Sequence, residues 1–300
     1  MWTFKSQAAV AIALTAIAAS LVLPSVALAD DTTVEGPVVV DFNVEVRPRR
    51  CIRFLIPDRG IARECPLGLM GGARTYLRPV RPLLIHARVQ AGLRHIRNAT
   101  LVYALTEPGE VEPPFPVNGG VVEAALGVGL WSARDVLEGM VWVGPSFRMD
   151  GLLEGTLARL RDVGLEQSIE GEAHLGASFG AQFIINAGEW VRIGGRGGLE
   201  ALGTAAVVWG PNAPTSQSAR AEAKKLQGTT ELRTLGAIVA VVRPQGAIAF
   251  VVDLGFSTGW AFPTPAARAR YAAAGVDVPE VFTLWPEARL LLGLRVRPGQ

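Results

Sequence analysis

One serine in the 300-residue chain stands in a setting associated with nucleophilic chemistry: Gly176-Ala177-Ser178-Phe179-Gly180 has the form G-x-S-x-G. In hydrolases that motif works because a sharp strand-to-helix turn lifts the serine into the open. Here the surrounding residues form one long alternation. Ala173, Leu175, Ala177, Phe179, Ala181 and Phe183 are apolar, while Glu172, His174, Gly176, Ser178, Gly180 and Gln182 are small or polar. This is the pattern of an uninterrupted β-strand with two unlike faces. His174 shares a face with Ser178, but four strand steps hold them about 13 Å apart, beyond the reach of a general base. His86 is the other histidine that alternation turns to an equivalent face. No catalytic activity is expected.

The remaining reactive residue types are equally limiting. Cys51 and Cys65 are the two cysteines; joined as a disulfide in an exported chain they would contribute about 3 kcal/mol for a loop of ~15 residues. No histidines accompany them at ligand spacing, so no zinc site and no other cofactor is expected. Lysine occurs at Lys5, Lys224 and Lys225, which leaves no Walker-type phosphate loop. The formal net charge is +2 and basic residues are interleaved with acids, so nucleic acid is not an expected partner. Asn98-Ala99-Thr100 matches a glycosylation sequon in a predicted tight turn and is read as accidental.

The elements that must position these residues are strands. Residues 1–29 have the form of a secretory signal peptide: Lys5, an apolar run from Ala8 to Leu23, Pro24, and Ala27-Leu28-Ala29 before Asp30. Residues 30–300 then form a single predicted domain, without a second run of the roughly 18 to 20 apolar residues that a membrane helix needs. Alternation recurs at 38–46, 83–94, 247–256 and 287–297. With 99–105, 122–130, 141–149, 191–207 and 232–242, and the strand described above, about ten strands are predicted. Several reach the roughly 9 to 11 residues with which a tilted strand crosses a bilayer. Short helices are predicted over 132–138, 152–161, 218–226 and 265–274.

Predicted connections alternate in length along the chain. Long ones fall at 48–82, 106–119, 150–170, 210–230 and 258–283, and short ones at 95–98, 132–139, 184–189 and 243–246. Trp131, Trp142 and Trp190 fall at strand ends on the short-turn side, and Trp209, Trp260 and Trp285 on the other. In strand length, loop asymmetry and aromatic placement the chain resembles small outer-membrane β-barrel proteins of Gram-negative bacteria, with no particular family indicated. The resemblance implies an all-β, up-and-down antiparallel transmembrane barrel of about ten strands with short helices in its loops.

In such a barrel the polar face of each strand lines the lumen. Candidate lumen-lining residues are His86, Arg88, Glu123, Glu172, His174, Arg192, Arg196, Arg289 and Arg295, accompanied by Arg94, Arg148, Arg233, Asp41, Glu45, Glu200, Asp253 and Glu287. Their signs nearly cancel, and ten strands leave little interior room. Buried charges must be paired or hydrated. The expected protein is therefore a structural or narrow-pore barrel with a largely plugged, charged lumen. Its expected partners are outer-membrane lipids, with lipopolysaccharide phosphates a candidate for Arg220, Lys224 and Lys225. The competing reading is a secreted soluble β-barrel or β-sandwich that binds an apolar ligand, its apolar faces turned inward. An intrabarrel lipid hydrolase is the more distant one.

Overall fold

The computed structural model describes residues 38–47, 52–56, 60–64, 67–96, 101–103, 109–111, 115–133, 137–164, 169–211, 213–227, 229–242, 247–273 and 280–297. Residues 1–29, Cys51, Cys65 and the sequon at 98–100 lie outside the described residues.

Ten strands close into one antiparallel barrel. In chain order they are β1 (Val38–Arg47), β4 (Leu67–Leu77), β5 (Leu83–Ile96), β8 (Val117–Ala133), β9 (Leu137–Leu152), β10 (Ile169–Asn186), β11 (Val191–Trp209), β12 (Thr229–Val242), β13 (Ile248–Pro263) and β14 (Phe282–Val296). Each pairs with its neighbour along the chain, and β1 closes the ring on β14, from Val40 opposite Val296 to Val46 opposite Leu290. Closure removes the exposed sheet edges that would otherwise recruit other chains. Two further hairpins stand outside the barrel ladder: β2 (Ile52–Ile56) with β3 (Gly60–Glu64), and β6 (Leu101–Tyr103) with β7 (Gly109–Val111).

The strand number agrees with the sequence reading, but two members differ. The predicted loop 48–82 contains the barrel strand β4, which pairs with β1 over Val38–Arg47 and with β5 over Leu77–Leu67. Its alternation is masked because Gly71, Gly72 and Ala73 interrupt the apolar positions. Conversely, 99–105 contributes only the short β6, which pairs with β7 rather than with the barrel. The helix predicted over 132–138 is overturned as well. Ser132 and Ala133 end β8, and their partners Gly139 and Glu138 open β9, so the ladder consumes residues of good helix propensity. The alternation of connections holds after these corrections: β4 and β5 are joined by a short turn at 78–82, and β5 and β8 by the longer segment 97–116.

Three helices occur among the described residues, all in long connections: α1 (Glu154–Asp162), α2 (Gln217–Gln227) and α3 (Pro265–Ala273). Helix α1 places Glu154 in its first turn and Arg159 and Arg161 in its last, in keeping with the helix dipole. It ends at Gly164, whose φ of 76° suits a residue without Cβ. Its buried Thr156 exchanges hydrogen bonds with the backbone of Asn118 (both 3.1 Å), tying the loop to β8. On α2, Lys224 Nζ donates to the carbonyl of Ala205. No helix of the described residues is long and apolar enough to cross a membrane.

The apolar side of each alternating strand faces outward. Leu175 is 56% exposed, Phe179 48% and Phe183 52%, and every other barrel strand adds to the same belt through residues such as Phe42, Leu69, Leu93, Leu126, Val143, Leu199, Ile238, Leu254 and Leu292. The opposite positions point inward and are buried, among them Asp41, Glu45, Arg74, Gln90, Arg148, Glu200 and Arg295. A soluble sandwich or lipocalin-like barrel would have these two faces exchanged.

Candidate functional site: the barrel lumen

The inward side chains lie in three layers along the lumen. At the short-turn end the wall formed by β1, β4, β5, β8 and β9 carries Val39, Tyr76, Leu84, Trp131, Met140 and Trp142, packed together as a buried apolar cluster. Across the barrel, Val239, Val241, Ala249, Val251 and Leu291 form a second cluster. His86 stacks on Trp142 with ring centroids 4.6 Å apart, and Tyr76 meets Trp142 edge-on at 6.3 Å. The indole fits because position 180 is glycine: a Cβ there would lie 2.3 Å from its ring carbons. Two arginines from the β4–β5 turn complete this layer, with the guanidinium carbons of Arg78 and Arg81 lying 4.9 and 5.1 Å from the Trp131 centroid. Arg78 is also ion-paired with Glu138, whose other oxygen lies 4.0 Å from Arg192.

The middle layer is a network of ion pairs. Arg295 Nε and Nη2 donate to the two oxygens of Asp41 (2.7 and 2.9 Å), a bidentate pair across the β1–β14 seam. Asp253 Oδ2 receives Arg196 Nη1 at 2.5 Å and Arg74 Nη1 at 3.3 Å. Arg196 Nε and Nη2 donate to Gln182 Oε1 (2.9 and 2.7 Å). Glu200 Oε1 receives Arg88 at 3.3 Å and the Ser146 hydroxyl at 2.5 Å. Gln90, fully buried, donates to Glu45 (2.9 Å) and Asn43 (3.1 Å), and Glu45 lies 3.7 Å from Arg289. A cavity of about 50 Å³ opens between Arg74, Arg88, Trp142, Arg196 and Arg289.

Toward the long loops a third layer joins Arg148 to Asp150 (2.5 Å) and Glu231 (3.1 Å), Arg94 to Asp150 (2.7 Å), and Arg233 to Glu231 (2.5 Å). His174 Nε2 lies 3.5 Å from Glu172. Glu123 is buried opposite Arg148 in the β8–β9 ladder.

The residues singled out from sequence thus divide among the layers. His86 and Arg192 belong to the short-turn end, Arg88, Arg196, Arg289 and Arg295 to the middle, and Glu123, Glu172 and His174 to the mouth. The last three lie away from the cavity. Arg74, Tyr76 and Arg78 lie in the segment 48–82 that the sequence reads as a loop, and Glu138 in one it reads as a helix, so none is among the predicted lumen residues. The period-two positions Met70, Arg74 and Tyr76 carried the signal. The tryptophans of the short-turn side also differ from a membrane girdle: Trp131 and Trp142 are buried inside the lumen, while Trp190 is exposed in the turn before β11.

Ser178 lies within continuous β10, and its hydroxyl faces the carbonyl of Gly144 at 3.4 Å. No histidine touches it; His86 is committed to its stack on Trp142 and His174 sits beside Glu172. Among the described residues no group of histidine, cysteine and acidic side chains is arranged to hold a metal.

The fold and lumen define a class: a closed, up-and-down, ten-stranded barrel, apolar outside and charged within. No family model matches the chain. Nor does any curated protein. Among solved structures it is similar to the CymD monoaromatic hydrocarbon channel, at 7% identity and a TM-score of 0.28, covering 86% of this chain and 88% of that one. It is also similar to the TodX deltaS2S3 mutant monoaromatic hydrocarbon channel, at 8% identity and a TM-score of 0.23, covering 89% and 90%. Likenesses this slight have no bearing on what the chain does.

Proposed function

We propose that this chain is an outer-membrane β-barrel of structural or narrow-pore type, its lumen largely plugged by paired charges and aromatic side chains. The outward belt carries the reading. In water, dozens of exposed Leu, Val, Ile and Phe side chains distributed around a closed barrel would cost far more than the scattered apolar residues of a soluble surface, whereas in a bilayer the same belt is the favourable face. Inside, the apolar and cation–aromatic layer obstructs the short-turn end and the ion pairs fill the middle. The geometry around Ser178 favours no hydrolase chemistry. In this reading residues 1–29 direct export, Cys51 and Cys65 form a disulfide in the β1–β4 connection, and exposed Arg220 of α2 is the group that meets lipopolysaccharide phosphate, Lys224 being held on the Ala205 carbonyl.

Membrane fractionation with gel mobility before and after boiling tests the assignment. The mature chain is expected in the outer-membrane fraction, with a mobility shift on boiling and single-channel conductance far below that of a general porin. A soluble chain without a shift would overturn it. Mass measurement after alkylation without reductant should show both cysteines unmodified; two alkyl groups would remove the disulfide from the proposal.

A further inference from the structure

We infer that the cavity in the middle layer is a binding site for one small monovalent anion, of halide or formate size. Three arginines, Arg74, Arg88 and Arg196, line it against two carboxylates, those of Glu200 and Asp253, with Arg289 and its neighbour Glu45 at the edge. Those two carboxylates are already shared. A single oxygen of Asp253 serves both Arg74 and Arg196, and a single oxygen of Glu200 serves both Arg88 and Ser146. The Arg74 and Arg88 contacts, at 3.3 Å, are longer than the 2.7–2.9 Å of a well-made charge-assisted hydrogen bond. Glu45, the next acid, lies 3.7 Å from Arg289 and accepts from Gln90.

Positive charge therefore exceeds negative charge at a buried wall, where an uncompensated ion is costly. Arg88 Nε and His86 Nδ1 are buried without a hydrogen-bond partner among the described residues. A cavity of about 50 Å³ exceeds the ~10–15 Å³ that one water occupies by the same measure, so a halide with a water, or a formate, fits. The indole of Trp142 lines the space and reports on its contents. This inference rests on the reading of the chain as a closed barrel with a plugged lumen.

Iodide provides the test, titrated into the folded barrel in detergent at constant ionic strength against gluconate, with tryptophan fluorescence as readout. Exposed Trp190 should give a linear collisional component, and Trp142 a saturable one. Trp142→Phe should abolish the saturable component. Arg88→Gln should raise the half-saturating iodide concentration about tenfold, the equivalent of one lost charge-assisted hydrogen bond. Should Arg88→Gln fail to fold, Ala237→Asp sets a carboxylate opposite Arg196 in the β11–β12 ladder and should remove saturation. Strictly linear quenching, or saturation that survives Trp142→Phe, would overturn the anion site. A barrel that shifts on boiling but quenches linearly loses only this site; a chain that neither shifts nor saturates loses the barrel reading too.

Discussion

At the scale of single residues, the bidentate Arg295–Asp41 pair joins the last strand to the first. Both partners are almost wholly buried, so removing one leaves the other's charge without its counter-ion. Arg295→Gln is expected to cost about 3 kcal/mol and to lower the temperature at which the unboiled gel band disappears. Adding Asp41→Asn should recover most of that loss, since the uncompensated carboxylate goes with it. Equal losses in the single and double variants would mean that the pair does not hold the seam. Ser178 of the G-x-S-x-G motif lies, by contrast, inside a continuous strand, its hydroxyl donating to the Gly144 carbonyl. The motif's residues were legible in the sequence, and so was the absence of the turn that gives the motif its reactivity.

At the scale of elements, period-two alternation identified most of the strands because in a barrel the two faces meet unlike surroundings over their whole length. It fails on β4, where Gly71 and Ala73 stand at outward positions, and on 99–105, whose short strand β6 pairs with β7 outside the barrel ladder. A test of the outward face belongs at this scale. Phe179 lies at the middle of β10, beside Val143 of β9 and Leu199 of β11. Phe179→Arg should destabilise the inserted barrel by about 2 to 4 kcal/mol if that level is the bilayer midplane. Val163→Arg, on the exposed turn after α1, should change stability by less than about 0.5 kcal/mol. Denaturant unfolding in lipid vesicles measures both. An indifferent Phe179→Arg would place this belt outside the hydrocarbon.

At the scale of the whole molecule, buried side chains crowd the short-turn end: Trp131, Trp142, Tyr76 and Met140 pack together on one wall, and Val239, Val241 and Val251 on another. Replacing Trp131 and Trp142 together by alanine should widen this layer enough to turn a silent planar-bilayer recording into one with resolved conductance steps. The folded state is expected to survive with a cost of several kcal/mol, as for other large aromatic truncations. A folded double variant that remains silent would shift the obstruction to the ion-paired middle layer. The two-faced strands, the long–short rhythm of connections and the near balance of interior charge can be read along the chain, because each is a local or compositional property. Which strands close the ring, which arginine meets which acid, and that Trp131 and Trp142 pack in one buried cluster with Tyr76 and Met140 emerge only in the fold. Those outcomes depend on ladder register and on side chains brought together across the barrel from as far apart as Asp41 and Arg295, and no periodicity along one strand encodes them.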